Sequence, residues 1–420
     1  MQGSANFVSC YLGLQGFHWD GFEIREKDFG RRRDGKIKVI TIQDARGYHV
    51  CSTCGKRHAA GVWQESEPLL FRDCSIGDFE TYLEVYPWRV ECCGKVARER
   101  FPFEQDGHRM TVRFFERIAA LCTRLKVLEV AKMAKLSWDT VGRIDKEAIR
   151  LALGSDHPDL EGVRHLGFDE VSRTGGRNFF TIVTDLESGR VVYIGDKKGG
   201  EGLQAFIDCL DKRARRRIQL TASDLGYMEM LKKAFPKAAH VLDRFHIVKW
   251  VNDALKDVRA KEFGAGPKDE DGRVLKAKKW MYLKAREKLE QGQKLLLARL
   301  MKLNQNLYRG YLLKEQLRSI LHHPWRYLGA LRRNLNDWCD AAVRSRLEEF
   351  GKVGRRLKKH VDSVIAAYTV KFKMGLVEAV NGKIVELRRA ARGYRDREYF
   401  KLKIFQRCSL PNNPWAEIIL

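Results

Sequence analysis

Acidic residues follow three strand-like apolar runs in the middle of the chain. Asp169 and Glu170 end the first run, Asp224 ends the second, and Asp243 follows the third. Carboxylates at the ends of short apolar strands are costly to bury unless a positive charge lies between them. A divalent metal ion commonly supplies that charge, and metal-bound carboxylates suit phosphodiester chemistry. The pattern therefore predicts a metal site made of strand-end acids.

A two-metal site needs a third carboxylate besides Asp169 and Asp224, because two ions about 3.5–4 Å apart share their ligands. Glu378 is the candidate, since it lies on the helix predicted at residues 376–387. The alternative is that these acids lie in surface loops, as most Asp and Glu residues do. The order of the acids along successive predicted strands favours the metal site.

Asp243 and His246 form a separate signal, with Asp243 at a strand end and His246 in the first turn of the next helix. An imidazole in this position can orient a carboxylate or contact a phosphate. Equally, Asp243 can cap the helix while His246 is a core histidine with satisfied hydrogen bonds. The residues alone leave both interpretations open.

The charge balance indicates a polyanionic partner. The 420 residues carry a formal charge of +25, which is extreme for an enzyme of small molecules and favours DNA, RNA or an acidic membrane. The chain has no run of about 18 apolar residues, so no membrane helix is predicted. The first residues lack the pattern of a signal peptide. Ten mostly scattered cysteines are typical of a reducing cytosol with one metal cluster.

Four of these cysteines form two pairs, Cys51 with Cys54 and Cys92 with Cys93. Four thiolates from two turns suit a structural tetrahedral zinc ion. Since adjacent cysteines strain the geometry, His58 or Cys74 is an alternative ligand to one of the second pair. Buried free thiols are the other interpretation.

Helical periodicity begins near residue 110 and continues to about residue 153. A break at residues 135–138 separates one amphipathic helix, residues 127–134, from a second that begins at Asp139, with Ser137 as N-cap. The pattern resembles a helix-turn-helix, whose second helix can enter a major groove. The residues expected to contact DNA are Ser137, Trp138, Thr140, Arg143, Arg388 and Arg389.

From residue 163 the pattern alternates between strands and helices. Strands are predicted at residues 163–169, 179–185, 190–195, 218–224 and 239–242, and helices at 201–213, 227–235 and from 245. The order β-β-β-α-β-α-β-α matches a ribonuclease H-like fold by analogy. Residues 254–372 are predicted to be helical and basic. Their interleaved aromatics, which either stack on bases or fill a core, are Trp280, Tyr282, Tyr308, Tyr311, Trp325 and Tyr327.

Several motifs together resemble bacterial DDE transposases of the ISL-three insertion-sequence type. They are HLGFDE (165–170), ASDL (222–225), VLDRFHIV (241–248), GLVEAVNGKI (375–384) and GYR (393–395). The resemblance covers nearly the whole chain in order. It implies a DDE triad of Asp169, Asp224 and Glu378, and an Asp-x-x-His signature at Asp243 and His246. The adjacent Cys92 and Cys93 depart from the spaced cysteines of the family.

The resemblance also implies an organisation and a function. We expect a zinc-binding region at residues 1–105, a helix-turn-helix at 106–160, and a mixed five-stranded ribonuclease H-like core at 161–253. An all-helical insertion follows at 254–372, and the last core helix and tail lie at 373–420. The expected activity is cleavage and joining of transposon-end and target DNA with two Mg²⁺ or Mn²⁺ ions. We expect at least a dimer on DNA, located in the bacterial cytoplasm and associated with the nucleoid.

Three alternative functions remain open. A transposase-derived regulator would bind the same ends without cutting them. Another ribonuclease H-like nuclease, such as a junction resolvase, would not need the N-terminal recognition elements. A nucleic-acid-packaging protein would not need acids in strand order.

Overall fold

The computed structural model describes residues 22–23, 31–33, 37–44, 46–76, 78–155, 160–174, 178–197, 199–262, 283–284, 286–369 and 375–410. The chain divides into two compact units. The first contains residues 1–156 and 410–420, and the second contains residues 157–409. Two of the aromatics singled out above, Trp280 and Tyr282, lie outside the described residues. Within those residues, no helix combines the length and apolar character needed to cross a membrane.

The first unit begins with small sheets. Its strands are β1 (Phe22–Glu23), β2 (Arg31–Arg33), β3 (Ile37–Thr41), β4 (Gln43–Asp44), β5 (His49–Val50), β6 (Arg57–His58), β7 (Trp63–Gln64), β8 (Leu69–Ile76), β9 (Phe79–Val85), β10 (Trp88–Cys92) and β11 (Lys95–Arg98). The largest sheet has the order β2-β3-β9-β8, and β11-β10-β7 form another. The rings of Phe71, Phe101 and Phe103 are fully buried and pack together beneath the larger sheet.

Three helices follow, α1 (Val112–Cys122), α2 (Val127–Ala134) and α3 (Trp138–Leu153). Lys135 ends α2 in the left-handed conformation, and the Ser137 hydroxyl accepts the Thr140 N–H at the start of α3. The predicted helix, break and helix are therefore present with the predicted cap, although α3 begins at Trp138 rather than Asp139. Buried apolar side chains on all three helices, including Phe115, form one core.

The second unit is built on a mixed five-stranded sheet, as predicted. Its strands are β12 (His165–Ser172), β13 (Phe179–Asp185), β14 (Val191–Gly195), β15 (Leu220–Ser223) and β16 (Ala239–Leu242). Their order is β14-β13-β12-β15-β16, with β12, β13 and β14 antiparallel and β12, β15 and β16 parallel. One prediction is wrong: β12 does not end at Asp169, because its pairing with β13 continues to Ser172.

Helices cover this sheet. Those that follow its strands are α4 (Gly200–Cys209), α5 (Lys212–Arg217), α6 (Leu225–Ala234) and α7 (Arg244–Glu262). The single helix predicted at residues 201–213 is two helices, because Asp211 caps α5 through the Ala214 N–H and so starts a new helix. Phe168 of β12, Phe206 of α4 and Leu231 of α6 are buried together on one face of the sheet.

The remaining helices form the predicted helical region and the end of the chain. They are a 3₁₀ turn (Arg286–Lys288), α8 (Gln291–Leu303), α9 (Gln305–His322), α10 (Leu328–Arg344), α11 (Glu348–Lys358), α12 (Val361–Thr369), α13 (Leu376–Ala390) and α14 (Arg397–Cys408). The core interpretation holds for Tyr311, which is buried in the helical core, whereas Tyr308 and Tyr327 are 48% and 78% exposed.

Helix α13 approaches the sheet closely at Gly167. A Cβ atom at this position would lie 2.5 Å from Val377 Cγ2 and 2.8 Å from Leu186 Cδ2. Val377 and Leu186 are buried with Leu220 and Val241 on this face of the sheet. Glycine therefore permits the close packing of α13 against β12 two residues before Asp169.

Candidate active site

Three aspartates reach the same level of the second unit's sheet. Gly167 pairs with Ala222, and Ala222 pairs with Val241, across three adjacent parallel strands. Asp169, Asp224 and Asp243 each lie two residues beyond one member of this row. Since parallel strands keep their register, the three carboxylates lie at one edge, where the carboxyl ends of β15 and β16 meet.

The Asp169 carboxylate is half-buried and held from two sides. Its Oδ1 accepts the Glu170 N–H at 2.7 Å, and its Oδ2 accepts the Asn381 side-chain amide at 2.6 Å. Burial raises the pKa of Asp169, and the nearby Asp243 carboxylate acts in the same direction. The hydrogen bonds and the His246 imidazole oppose this rise in pKa without cancelling it. The charged form of Asp169 is therefore one that an added cation would stabilise.

Asp224 and Asp243 each start a helix. Asp224 Oδ1 accepts the Gly226 N–H at 3.1 Å, and Asp243 Oδ1 accepts the Phe245 N–H at 2.9 Å. The N-terminal capping considered for Asp243 is thus present. His246 is 7% exposed, with Nε2 3.7 Å from Asp224 Oδ2 and with a buried Nδ1 that has no hydrogen-bond partner. His246 is therefore a buried histidine beside a carboxylate rather than one with both nitrogens satisfied.

Glu378 lies in the first turn of α13 and is exposed. It lines a cleft of about 530 Å³ together with Asp243 and Phe245, and we call this space the insertion cleft. Among the described residues, the oxygens of Asp169, Asp224 and Glu378 do not all lie within 4.8 Å of one another. The acids therefore form an open arrangement that leads into the cleft. We call Asp169, Asp224, Asp243 and Glu378 at this end of the sheet the acidic edge.

Basic side chains also line the insertion cleft, one at the start of α7 and the others from the helical region. They are Arg244, Lys284, Lys288, Lys314 and Arg318. Lys314 is 4% exposed, and its Nζ donates to the Lys284 carbonyl at 2.9 Å and pairs with Glu315 at 2.8 Å. Desolvation lowers the pKa of Lys314. Sequence reasoning identified this region as basic but did not single out these residues.

Two polar residues beside the acids, Asn381 and Glu170, have no role assigned from the sequence. Asn381 lies one helical turn after Glu378, and this spacing is the signal that could have identified it. Glu170 Oε1 accepts the Gly199 N–H at 3.0 Å and the Tyr227 hydroxyl at 2.9 Å. Because adjacent residues of a strand point to opposite faces, Glu170 ties β12 to helices α4 and α6 on the face away from Asp169.

The two arginines expected to contact DNA at the end of α13 differ in environment. Arg388 is half-buried and donates a hydrogen bond to the carbonyl of Ser172 at the end of β12. Arg389 is exposed. Arg388 thus has a structural contact, and Arg389 is the one that faces solvent.

The first unit brings Cys51, Cys54, Cys92 and Cys93 together, with all four sulfur atoms within 4.8 Å of one another. Cys93 and Gly94, between β10 and β11, have φ values of 55° and 72°, typical of a tight hairpin turn. The left-handed conformation is costly for Cys93, so strain at one residue accommodates the adjacent pair. The alternative ligands His58 and Cys74 are not part of this group.

The thiols of this cluster influence one another. The backbone N–H groups of Cys54 and Thr53 lower the pKa of Cys51 to about 6. Hydrogen bonding with Cys54 raises the pKa of Cys92 to about 12. One thiolate therefore forms readily while further deprotonation is opposed, and a cation held among the four sulfurs would remove that opposition.

The residues expected to contact DNA at the start of α3 fall into two groups. The hydroxyl of Ser137 lies 2.9 Å from that of Thr140 and also accepts its N–H at 3.1 Å. Trp138 is 63% exposed, and Arg143 is also exposed. The first two side chains therefore stabilise the helix start, whereas Trp138 and Arg143 are available to a partner.

Comparison with known proteins agrees with this arrangement. A family model described as a transposase of the ISL3 type matches residues 166–404, and the model of the helix-turn-helix domain of transposase family ISL3 matches residues 99–149. The chain is 28% identical over 403 residues to the transposase for insertion sequence element IS1001 of Bordetella parapertussis, covering 94% of this chain and 97% of that protein. It is also 28% identical over 414 residues to the transposase for insertion sequence element IS1557 of Mycobacterium tuberculosis, covering 90% of this chain and 89% of that protein.

Proposed function

The chain belongs to the transposase family ISL3, and we propose that it cuts and joins insertion-sequence DNA at Asp169, Asp224 and Glu378. The observation that carries this assignment is the row of aspartates, one within and two directly after three adjacent strands, beside the helix of Glu378. The strand order, three antiparallel strands followed by two parallel ones, supports a ribonuclease H-like core by analogy.

The donor set at this edge fits Mg²⁺ or Mn²⁺. Both are hard cations that prefer carboxylate oxygens, and Asp169, Asp224 and Glu378 would hold them. The raised pKa of Asp169 beside Asp243 supports a site that favours a cation. When bound, two such ions activate water and stabilise the charge that develops on the phosphate.

Neighbouring residues would orient the acids and the DNA. His246 lies beside Asp224 and would fix the direction of its carboxylate. Asp243 links the acidic edge to the insertion cleft, whose basic side chains would neutralise the phosphates of the strand that enters it. The exposed ring of Phe245 at this cleft offers a surface on which a base can stack.

The proposed reaction has two steps at one site. Water first attacks the phosphorus at the end of the element, and the bond to the 3′ oxygen breaks to leave a 3′-hydroxyl. That hydroxyl then attacks a phosphodiester of target DNA. A bond forms between the phosphorus and the 3′ oxygen of the element, and the bond between the phosphorus and the 3′ oxygen of the target breaks. The joining step therefore needs no external energy source and no covalent enzyme intermediate.

The first unit would recognise the ends of the element. Helix α3 would enter the major groove, with Trp138 and Arg143 reaching the DNA. The four cysteines would hold a structural zinc ion near residues 51–93. In this scheme, residues 1–160 recognise the DNA ends and residues 161–420 carry out the chemistry. Two ends must meet for strand transfer, so we also propose at least two protomers on DNA.

Metal-dependent nicking of a duplex that carries the element's own end tests this function. Wild type should nick the end in Mg²⁺, Asp224→Ala should not, and both should bind the end equally. Asp257→Ala is the matched control, because Asp257 is an exposed acid about 16 Å along α7 from His246. Tight, salt-sensitive binding by wild type without cleavage in Mg²⁺ or Mn²⁺ would instead indicate a non-cleaving regulator.

A further inference from the structure

Asn381 is placed where it can act on the acidic edge. It lies on α13, one turn after Glu378, and its Nδ2 donates to Asp169 Oδ2 at 2.6 Å. A carboxylate only accepts hydrogen bonds, so this contact requires the nitrogen of the amide to face Asp169. The orientation of the Asn381 side chain is therefore fixed by its partner.

The other end of the same amide is unsatisfied. Asn381 Oδ1 is buried and has no hydrogen-bond partner. Buried carbonyl oxygens are normally paired, and an exception calls for a physical reason. Because both amide atoms share one carbon, Oδ1 lies next to the Asp169 carboxylate and on the helix of Glu378.

Anchoring of α13 does not account for this amide. Val377, Val380 and Ile384 are the buried residues of the helix, and Val377 packs against the sheet beside Gly167 and Leu186. Asn381 is only half-buried and adds one hydrogen bond, to a carboxylate of the proposed site. A buried, unpartnered oxygen on an amide that contacts such a site is suited to a cation or to water bound by one.

We propose that Asn381 is an additional oxygen donor and positioning residue of the divalent-metal site. Its Nδ2 fixes the Asp169 carboxylate, and its Oδ1 faces the cation or a water molecule bound to it. Asn381 thereby couples the carboxylate of β12 to the helix that carries Glu378. The inference rests on the proposed function, because it assumes that Asp169 and Glu378 bind metal.

Binding of Mn²⁺ to the full-length protein tests this inference without DNA or turnover. The free Mn²⁺ signal in electron paramagnetic resonance gives the affinity of wild type, Asn381→Ala and Asn381→Asp. Asn334→Ala is the matched control, since Asn334 is an exposed amide on α10 that donates only to the Ala330 carbonyl among the contacts described. Thermal unfolding of each variant shows whether it is folded.

Loss of the Asn381 amide should weaken Mn²⁺ binding about 10–100-fold, the usual cost of removing a group that supports a metal ligand. Asn334→Ala should bind like wild type. Asn381→Asp keeps the acceptor oxygen but repels Asp169, so it should bind Mn²⁺ more tightly than Asn381→Ala and gain more thermal stability from Mn²⁺ than wild type does.

The outcomes separate this inference from the function on which it rests. A folded Asn381→Ala protein with wild-type affinity would overturn the role of Asn381 and leave the transposase site intact. Equal weakening in Asn381→Ala and Asn381→Asp would overturn the role of Oδ1. Absence of saturable Mn²⁺ binding by wild type would overturn both the proposed metal site and this inference.

Discussion

The cysteine cluster of the first unit and the acidic edge of the second differ in how completely their side chains surround one point. The four sulfur atoms all lie within 4.8 Å of one another, whereas the oxygens of Asp169, Asp224 and Glu378 do not. The acids instead lead into the insertion cleft. Structural metal sites are closed by protein ligands, and catalytic sites keep positions for substrate or water. The two donor sets of this chain therefore suit different tasks.

The two regions also differ in how the chain assembles them. The cysteines come from two turns about forty residues apart, and the local geometry of each turn places the two members of its pair. The acidic edge joins three strands and a helix, and its contact between Asp169 and Asn381 spans 212 positions. Substitutions in the cysteine cluster should therefore impair folding and end binding. Substitutions of the acids should impair the chemistry alone.

The largest effect is expected at the acidic edge. Asp169→Asn should lower the rate of end cleavage roughly 10³-fold or more. When catalytic residues act as a unit, the loss of one member removes most of the rate enhancement of the whole set. End affinity should remain that of wild type, since we place recognition in the first unit. Nicking rates and gel-shift titrations measure the two properties, with Asp257→Asn as control. Unchanged cleavage would remove Asp169 from the site.

The next largest effect is expected at the cysteine cluster. Cys51→Ser should remove bound zinc and weaken end binding about 100-fold, because the free energy of binding a structural zinc is free energy of folding. Metal analysis gives the zinc content per chain, and fluorescence anisotropy gives the end affinity. Cys209→Ser, at an exposed cysteine of the second unit, should change neither. Wild-type protein without zinc would rule out the closed site.

A smaller effect is expected on the surface of the helix-turn-helix. Arg143→Ala should weaken end binding about tenfold, since one lost base contact costs about 1–3 kcal/mol. The rate of cleavage at saturating protein should not change. Arg150→Ala is the control, because Arg150 is an exposed arginine in the last turn of the same helix. An equal loss in both variants would indicate general charge rather than a specific contact.

The smallest effect is expected where α13 meets β12. Gly167→Ala places a methyl group 2.5 Å from Val377 Cγ2, and such overpacking should cost about 1–3 kcal/mol of unfolding free energy. Cleavage should fall a few-fold because α13 carries Glu378. Denaturant unfolding and nicking rates measure both effects. Adding Val377→Ala should restore part of each, and failure of this rescue would show that the two residues do not interact as described.

Much of the second unit could be predicted from the sequence. Strands β13 and β16 have the predicted bounds, because turn residues and apolar runs mark their ends clearly. The continuation of β12 beyond Asp169 could not be predicted, since it depends on pairing with β13 rather than on local pattern. The division of one predicted helix into α4 and α5 depends on the cap at Asp211, a signal that the sequence contains.

The acids of the site could be proposed from their order along the chain, but their surroundings could not. Asn381 acquires its role from a contact with a distant strand, and the basic residues of the insertion cleft come from several helices. The sequence leaves Cys92 and Cys93 in doubt as joint ligands because they are adjacent, and the left-handed turn that accommodates both is seen only in the structure.

Strand transfer by Glu378→Gln tests most directly whether the three acids form one site. The substrate is a duplex end that already carries a free 3′-hydroxyl, so joining to target DNA is measured without the first cleavage. Glu386→Gln, an exposed glutamate two turns later on α13, is the matched control. Wild type and Glu386→Gln should join the end in Mg²⁺, and Glu378→Gln should bind it but not join it. Joining at the wild-type rate by Glu378→Gln would show that Glu378 does not form one site with Asp169 and Asp224.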